Sequence, residues 1–317
     1  MEKGGPHIII SIVSWKYLEN VLPMVQTLLA HTDAADPIMV VETGGDRSEA
    51  LDALARENGR LQIVYATENN GYAAAHALAA NRMLAENLHG VLLLNPDLRL
   101  EPDHIRRLKA IITQTGNHAV IGAPVFNEAD GKLTLEYAGF PVSDEHRNVL
   151  LGASLNETGA IHVQQPVGYS VTDIHGCFVY FPTTAVRENG WMHTHYFLYG
   201  EENEYLHRLH KAGVNMMVST DVAVLHENGG TFKRQGEGLA LVREYYRTRN
   251  RLYNNYLFGG PAALFRFNFG FVLKYALGRY VLRLKNFRQN DLTYHNFLGH
   301  LHFLRRIRGK YLNPDNF

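Results

Sequence analysis

The chain has 317 residues, 46% of them hydrophobic and 20% charged, so disordered and low-complexity classes are excluded. Lys plus Arg equals Asp plus Glu at 31 each, which argues against a polybasic nucleic-acid binder. A single cysteine, Cys177, excludes an internal disulfide framework and any cysteine-cluster zinc site, and fits a reducing compartment. The N-terminal apolar run is too short for a signal peptide, and the best long apolar stretch, Leu257 to Leu277, is interrupted by Arg266 and Lys274. A soluble or peripheral protein made without export is expected.

In chain order, HIIISIVSW (7–15) predicts a buried parallel strand, and residues 18–30 a helix. Residues 37–42 predict a second strand ending at Glu42. After the Thr43 to Asp46 turn, Ser48 opens a helix. Residues 61–66 predict a third strand, followed by the Glu68 to Gly71 turn and an Ala-rich helix over 72–86. GVLLLNPD (90–97) predicts a fourth strand broken at Pro96, a helix follows from Pro102 to about Thr115, and 118–126 reads as a fifth strand. Beyond it the pattern loosens into loops and short strands over 127–172. Then come a strand over 174–182, a helix from Glu201, two short strands over 215–230, and a helix over 237–256.

Alternating strands and helices predict an α/β, mostly parallel, doubly wound sheet. In such sheets ligands bind beyond the carboxyl ends of the strands, which selects Ser14-Trp15, Glu42, Asn69 to Gly71 and Asn95 to Asp97. No G-x-G-x-x-G follows the first strand and no G-x-x-x-x-G-K-[ST] occurs, which disfavours Rossmann dehydrogenases and P-loop NTPases.

The neutral total hides a segregation. Residues 255–317 hold ten Lys or Arg against two acids, so this Phe-, Tyr- and Leu-rich tail carries +8 and the remainder −8. A basic, aromatic, helical tail suits an anionic membrane surface; it equally suits a helical cap with a solvated basic face. It comes with no nucleic-acid-binding motif.

Four residues carry candidate chemistry. Asp97, projecting from a strand end after rigid Pro96, can hold a hard cation, although such an Asp is commonly a turn residue. Glu42 can accept a hydrogen bond from a pyrimidine N3–H, or simply close a turn. Glu202, at the start of a helix, shares a face with Tyr205, Leu206 and Leu209 and so points inward as a candidate general base, leaving Glu204 and Lys211 to face water. His226 follows an apolar strand; most histidines so placed are structural. The pairs His193/His195 and Asp173/His175 are expected by chance among seventeen His, and Cys177 reads as inert packing.

Joined in order, these segments resemble the family 2 glycosyltransferases of GT-A fold, and within them the rhamnosyltransferase-like branch, over roughly residues 7–256. IIISIVSWK resembles the opening strand and its Ser-Tyr-Asn ending, with Trp15 and Lys16 in place of Tyr and Asn. IMVVETGGDRS places Glu42 where the base-binding Asp stands, and ENNGYAAAHALA aligns Asn69, Gly71 and Tyr72 with the Asn-x-Gly-Phe-Ala segment. LLLNPD resembles the Leu-Asn-Pro-Asp form of the DXD metal motif; Asn95 replaces its first Asp. HGCFVYFPTTAVRENGWMHTHYFLYGEENEYLHRLHKAG resembles the acceptor segment, with Glu202 for its catalytic Asp and Glu204 for its second acid. VLHENGGT resembles the late metal-ligand His, and YYRTRNRL the Tyr-Tyr-x-x-Arg-Asn stretch.

The resemblance implies a GT-A catalytic domain over 1–235, with a nucleotide-binding half over about 1–126 and an acceptor half over about 127–235. A basic helical extension over 236–317 would follow. It implies direct displacement at a sugar C1 with inversion. Mg2+ or Mn2+ would be held by Asp97 and a neutral His226, and Glu202 would be the base. Ser14, Trp15, Glu42, Asn69, Gly71, Asn95 and Asp97 would hold the nucleotide-diphosphate sugar donor, a UDP- or dTDP-sugar such as dTDP-rhamnose. The acceptor would be a saccharide or lipid-linked glycan in surface polysaccharide synthesis, met in the cytoplasm at the inner face of the membrane. The substitutions at Asn95 and Glu202 leave a second expectation, a catalytically inactive nucleotide-sugar-binding scaffold at the membrane surface.

Overall fold

A computed structural model describes residues 5–157, 159–226, 237–276 and 292–316. Strand β1 (Ile8–Ser14) lies inside an eight-stranded sheet, its Ile-rich run buried on both faces as a parallel core strand requires. It pairs in parallel with β2 (Ile38–Glu42) on one side and β4 (Gly90–Leu94) on the other, and β3 (Leu61–Tyr65) adds in parallel to β2. These four strands match the sequence expectation, and so do their helices α1 (Leu18–His31), α2 (Glu49–Glu57) and α3 (Tyr72–Ala85). Ser48 caps α2 by accepting the Leu51 N–H at 3.3 Å. Helix α4 (His104–Gln114) follows the two-residue strand β5 (Leu98–Arg99).

The expected fifth strand is two strands. β6 (Ala119–Gly122) stays in the main sheet, while β7 (Val125–Ala129) pairs with β8 (Lys132–Tyr137) in a second sheet. The break falls at Ala123-Pro124, because proline has no N–H for the ladder; Pro124 still offers its carbonyl to the Val224 N–H at 3.0 Å. Past α5 (Asp144–Leu151) and the short β9 (Ser154–Leu155), β10 (Ile161–His162) and β11 (Gly168–Ser170), strand β12 (Phe178–Pro182) slots antiparallel between β4 and β6. This strand is shorter than the 174–182 run suggests, since Ile174 to Gly176 stay outside it. Helices α6 (Thr183–Asn189) and α7 (Glu201–Lys211) precede β13 (Asn215–Ser219), which joins β6 in parallel. Strand β14 (Val224–His226) crosses to the second sheet, between β5 and β7.

The main sheet therefore reads β11-β13-β6-β12-β4-β1-β2-β3, with four of its seven neighbouring pairs parallel. Because β12 sits between β4 and β6, the two halves of the chain share one sheet. Two hydrophobic cores cover its faces, one under α3, α6 and α7, the other under α1, α2 and α4. Helix α8 (Glu237–Ala276), broken at Gly260-Pro261, packs on α9 (Leu292–Leu304). Among the described residues no helix is long and apolar enough to cross a membrane. Of the basic tail residues, Arg279, Arg283, Lys285 and Arg288 lie outside the described residues, as do Glu227 to Gly230 of the VLHENGGT segment.

Candidate active site

The carboxyl ends of β1, β2 and β4 open into a cleft of about 350 Å³, lined among others by Trp15, Asn69, Gly71, Asn95, Asp97, Glu202 and His226. A wider cleft of about 720 Å³ shares His175, Tyr199, Glu202 and His226 with it. The residues expected to act together thus converge from β4, α7 and β14 on one hollow.

Asp97 and His226 are brought together by the pairing of β5 with β14, which sets His226 opposite Leu98. His226 Nε2 lies 3.3 Å from Asp97 Oδ1, and His226 Nδ1 lies 3.0 Å from Glu136 Oε2. Burial alone would push His226 down, but the two carboxylates reverse this and hold it up at about 9. Asp97 Oδ1 is buried and takes no well-aligned hydrogen bond. Two ligand atoms on one ion with bonds of about 2.1 Å stand no more than about 4.2 Å apart, so the separation fits a shared divalent cation. That cation would have to displace the proton that the two carboxylates favour on the imidazole, contrary to the neutral His226 expected from the sequence. Glu136 then completes the carboxylate–histidine arrangement that orients metal-binding imidazoles. Among the described residues no group of three His, Cys, Asp or Glu side chains is placed to hold a metal ion.

Glu202 is half-buried at the first turn of α7, where Gly200 (φ 90°) turns the chain into the helix. Gly176 leaves room for it: a Cβ there would stand 3.3 Å from Glu202 Cγ. Burial raises the Glu202 carboxyl, against the pull of the helix N–H groups. Its neighbour Glu201 is more deeply buried, has an unpartnered Oε2, and is pushed well above the usual range by burial and by the Glu202 charge. Glu204 does not face water as the helical spacing suggests. It is 7% exposed and bound to Arg208 at 3.1 Å, which also donates to the Trp191 carbonyl at 3.0 Å. The ion pair to Arg208, one turn on, lets that acid lie on the buried side.

Asn69 Oδ1 accepts the Gly71 N–H at 3.0 Å, forming an Asx turn at the mouth of α3. Gly71 has φ 89°, and a Cβ on it would fall 2.1 Å from the Phe197 carbonyl oxygen. Tyr72 donates its N–H to that same oxygen at 3.1 Å and its hydroxyl to Gly176 O at 2.8 Å. Ser14 and Glu42 are both 1% exposed and do not line the cleft. Glu42 Oε1 instead accepts the backbone N–H of Lys16 at 3.2 Å and of Gly44 at 2.5 Å, fixing the turn behind Trp15. Burial raises this carboxyl while those N–H groups oppose the shift. Trp15 itself donates to Asp315 Oδ1 at 3.2 Å, and Pro314 joins the cleft wall, so the C-terminal turn reaches the Trp15 end of the cleft.

The sequence reading missed Glu136, His175, Tyr72 and Tyr199 as site residues. Glu136 stands on a strand of alternating exposure, KLTLEY, and that period was its one signal. His175 accepts the Cys177 N–H on Nδ1 at 3.2 Å and packs edge-on to His226 with ring centroids 5.7 Å apart. Cys177 is buried and its thiol is pushed well up by burial, in line with packing.

No family model matches the chain. It is 26% identical over 159 residues to the low-salt glycan biosynthesis hexosyltransferase Agl10 of Haloferax volcanii, a match covering 50% of this chain and 49% of that one. The chain thus matches about half the length of that curated relative. Among solved structures it is similar to the mannosyltransferase PcManGT from Pyrobaculum calidifontis, determined in complex with GDP-Man and Mn2+. The TM-score is 0.53 and the identity 13%, over 95% of this chain and 88% of that one. The fold is therefore the Rossmann-like α/β fold of that transferase, extended by C-terminal helices.

Proposed function

We propose that this chain is a metal-assisted, inverting glycosyltransferase that moves a hexosyl or deoxyhexosyl group from a nucleotide-diphosphate sugar to a hydroxyl of a glycan acceptor. One observation carries the reading: Asp97, His226 and Glu202, from three distant stretches of chain, line one cleft. The relative named for glycan biosynthesis and the fold shared with a mannosyltransferase support it.

Asp97 and His226 would hold Mg2+ or Mn2+, and the ion, when bound, would supply positive charge at the leaving diphosphate. The donor would lie along the end of β1, with Trp15 and Asn69 to Gly71 against it. Glu42 would act one layer behind by fixing the backbone of Lys16 and Gly44, and Ser14 by accepting the Thr43 N–H on its carbonyl at 2.8 Å. Donors with UDP or dTDP follow from the resemblance, dTDP-rhamnose among them; GDP-mannose enters from the structural neighbour. At the acceptor end the carboxylate of Glu202 takes the hydroxyl proton as the oxygen bonds to C1. The C1–O bond to the diphosphate breaks, and its electron pair leaves with the nucleoside diphosphate. The raised pKa of a half-buried carboxyl suits a base that must accept a proton near neutrality. Holding both partners in one cleft supplies the rest. The setting proposed is the cytoplasmic face of a membrane, with the basic C-terminal extension turned to anionic lipid.

Thermal-shift screening against UDP-, dTDP- and GDP-sugars with and without Mn2+, followed by donor hydrolysis on the hits, tests this. Stabilisation by one nucleotide class that requires Mn2+, together with slow hydrolysis, is expected. Binding with no hydrolysis or transfer would instead support the inactive scaffold, and no nucleotide binding would remove both.

A further inference from the structure

The wider cleft has a wall that the proposed donor chemistry does not use. Arg243, Arg247 and Arg251 line it at every fourth position of α8, so they stack as one row along the helix. The row covers about 12 Å at 1.5 Å per residue. All three are exposed to the cleft solvent. Burial and the neighbouring Arg247 push Arg251 down, against the pull of Glu244. Two acids lining the same cleft already have partners. Asp173 accepts from the Tyr137 hydroxyl and from Asn203 Nδ2 at 3.1 Å, and Glu136 is bound to His226. Glu202 lines the cleft too. Further along α8 the lining runs through Asn254 and Asn255 to a single apolar ring, Phe258, which stacks on His207 with centroids 3.9 Å apart.

We propose that this cleft binds a phosphate-bearing acceptor, with the Arg243, Arg247 and Arg251 row holding the phosphate or diphosphate and leaving the acceptor hydroxyl at Glu202. The proposal rests on the glycosyltransferase reading and narrows its acceptor. Guanidinium forks match phosphate oxygens in pairs, and several along a row suit a diphosphate better than a single carboxylate.

Calorimetric titration with inorganic pyrophosphate, in chelator and without divalent metal, tests the row directly. Pyrophosphate is expected to bind the wild type, at least tenfold more weakly in Arg247→Ala, and undetectably in the triple replacement of Arg243, Arg247 and Arg251 by Ala. Asp97→Asn is expected to leave this affinity unchanged. Because the three arginines are exposed, unchanged melting temperatures should accompany the losses; Arg247→Lys, keeping charge without the fork, should fall between. A short-chain polyprenyl diphosphate binding more tightly than pyrophosphate would assign the phosphate to a lipid carrier, and equal affinity would assign it to a soluble glycan phosphate. Equal pyrophosphate affinity in wild type and triple variant, or tighter binding of glucuronate than of pyrophosphate, overturns the proposal. A parallel titration with UDP and GDP plus Mn2+ separates the two readings. If those nucleotides fail to bind while the arginine-dependent pyrophosphate site persists, the donor assignment fails and the anion site stands.

Discussion

Asp97 Oδ1 and His226 Nε2 stand 3.3 Å apart at the junction of the two sheets, one from the end of β4 and the other from the end of β14. Their separation fits one shared ion, and His226 is oriented from behind by Glu136 at 3.0 Å. Asp97→Asn and His226→Ala should each weaken Mn2+ binding, followed by the electron paramagnetic resonance of free Mn2+, by at least about tenfold. Glu136→Gln should weaken it by about 10–100-fold, the range for a lost outer partner. Wild-type Mn2+ affinity in both Asp97→Asn and His226→Ala would remove the metal assignment.

Glu201 and Glu202 are adjacent acids with opposite expected responses. Glu201 is 2% exposed, and burial holds its carboxyl well above the usual carboxylate range, which disfavours its charged form. Glu201→Gln, close to isosteric with that acid, should leave turnover within a few-fold of wild type. Glu202→Gln removes the proposed base and should lower kcat by about 10²–10⁴ while donor affinity holds. Single-turnover transfer and donor binding measured on both variants check the pair; near-normal transfer by Glu202→Gln would reassign the base.

Gly71 joins the donor turn to the loop before α7. Its φ of 89° with ψ of 172° is a region open to glycine, and an added Cβ would meet the Phe197 carbonyl oxygen at 2.1 Å. Gly71→Ala should destabilise the fold by at least about 2 kcal/mol through strain and displaced backbone. Urea unfolding measures this, and a midpoint equal to wild type would show that the loop yields without cost.

The main sheet was legible because its strands are short apolar runs closed by turn residues, and the strand-end rule then pointed to Asn69, Gly71, Asn95 and Asp97, all of which line the cleft. Strand order was not legible: nothing local in FVYFP tells that β12 inserts between β4 and β6. Helical spacing placed Glu202 correctly on the inward side, but it could not see Arg208, whose ion pair lets Glu204 lie buried as well. Nor could it see that Glu42 spends one oxygen on two backbone N–H groups. The YYRTRNRL stretch was legible only as a resemblance to the Tyr-Tyr-x-x-Arg-Asn segment; its buried Arg249 and Asn250 hold the backbone of residues 196–199.

That hold is itself testable. Asn250 Nδ2 lies within 3.1 Å of the carbonyls of Tyr196, Leu198 and Tyr199, the residues that deliver the chain to Gly200 and α7. Asn250→Ala should cost about 1–3 kcal/mol for the carbonyls left without a donor. Arg249 still donates to Tyr196 O at 2.8 Å, so the fold should survive. With the loop loosened, Glu202 loses its fixed position and kcat should fall more than donor binding. Equal loss of both would point to a general structural effect rather than positioning.

Two buried histidines, His76 and His104, should weaken the fold in acid. His76 is fully buried against the Ser11 hydroxyl at 2.7 Å and is pushed down by burial to about 3. His104 accepts the Glu101 N–H on Nδ1 at 2.9 Å, lies 3.1 Å from the Ala223 carbonyl through Nε2, and is pushed down, chiefly by burial, to about 4. Unfolded, both titrate near 6.5, so below that pH the unfolded chain binds more protons than the native one. Their contribution is complete above pH 6.5 and is lost as pH falls toward 4 and 3, on the order of 2 kcal/mol each by pH 5. The urea midpoint should therefore drop between pH 7 and pH 5, before most carboxylates titrate, and His104→Gln should flatten part of that slope. Because the buried carboxyls of Glu42, Glu201 and Glu202 are shifted the other way and oppose this slope, the difference between wild type and His104→Gln is the measure, and identical slopes would mean that His104 is not held neutral by its burial.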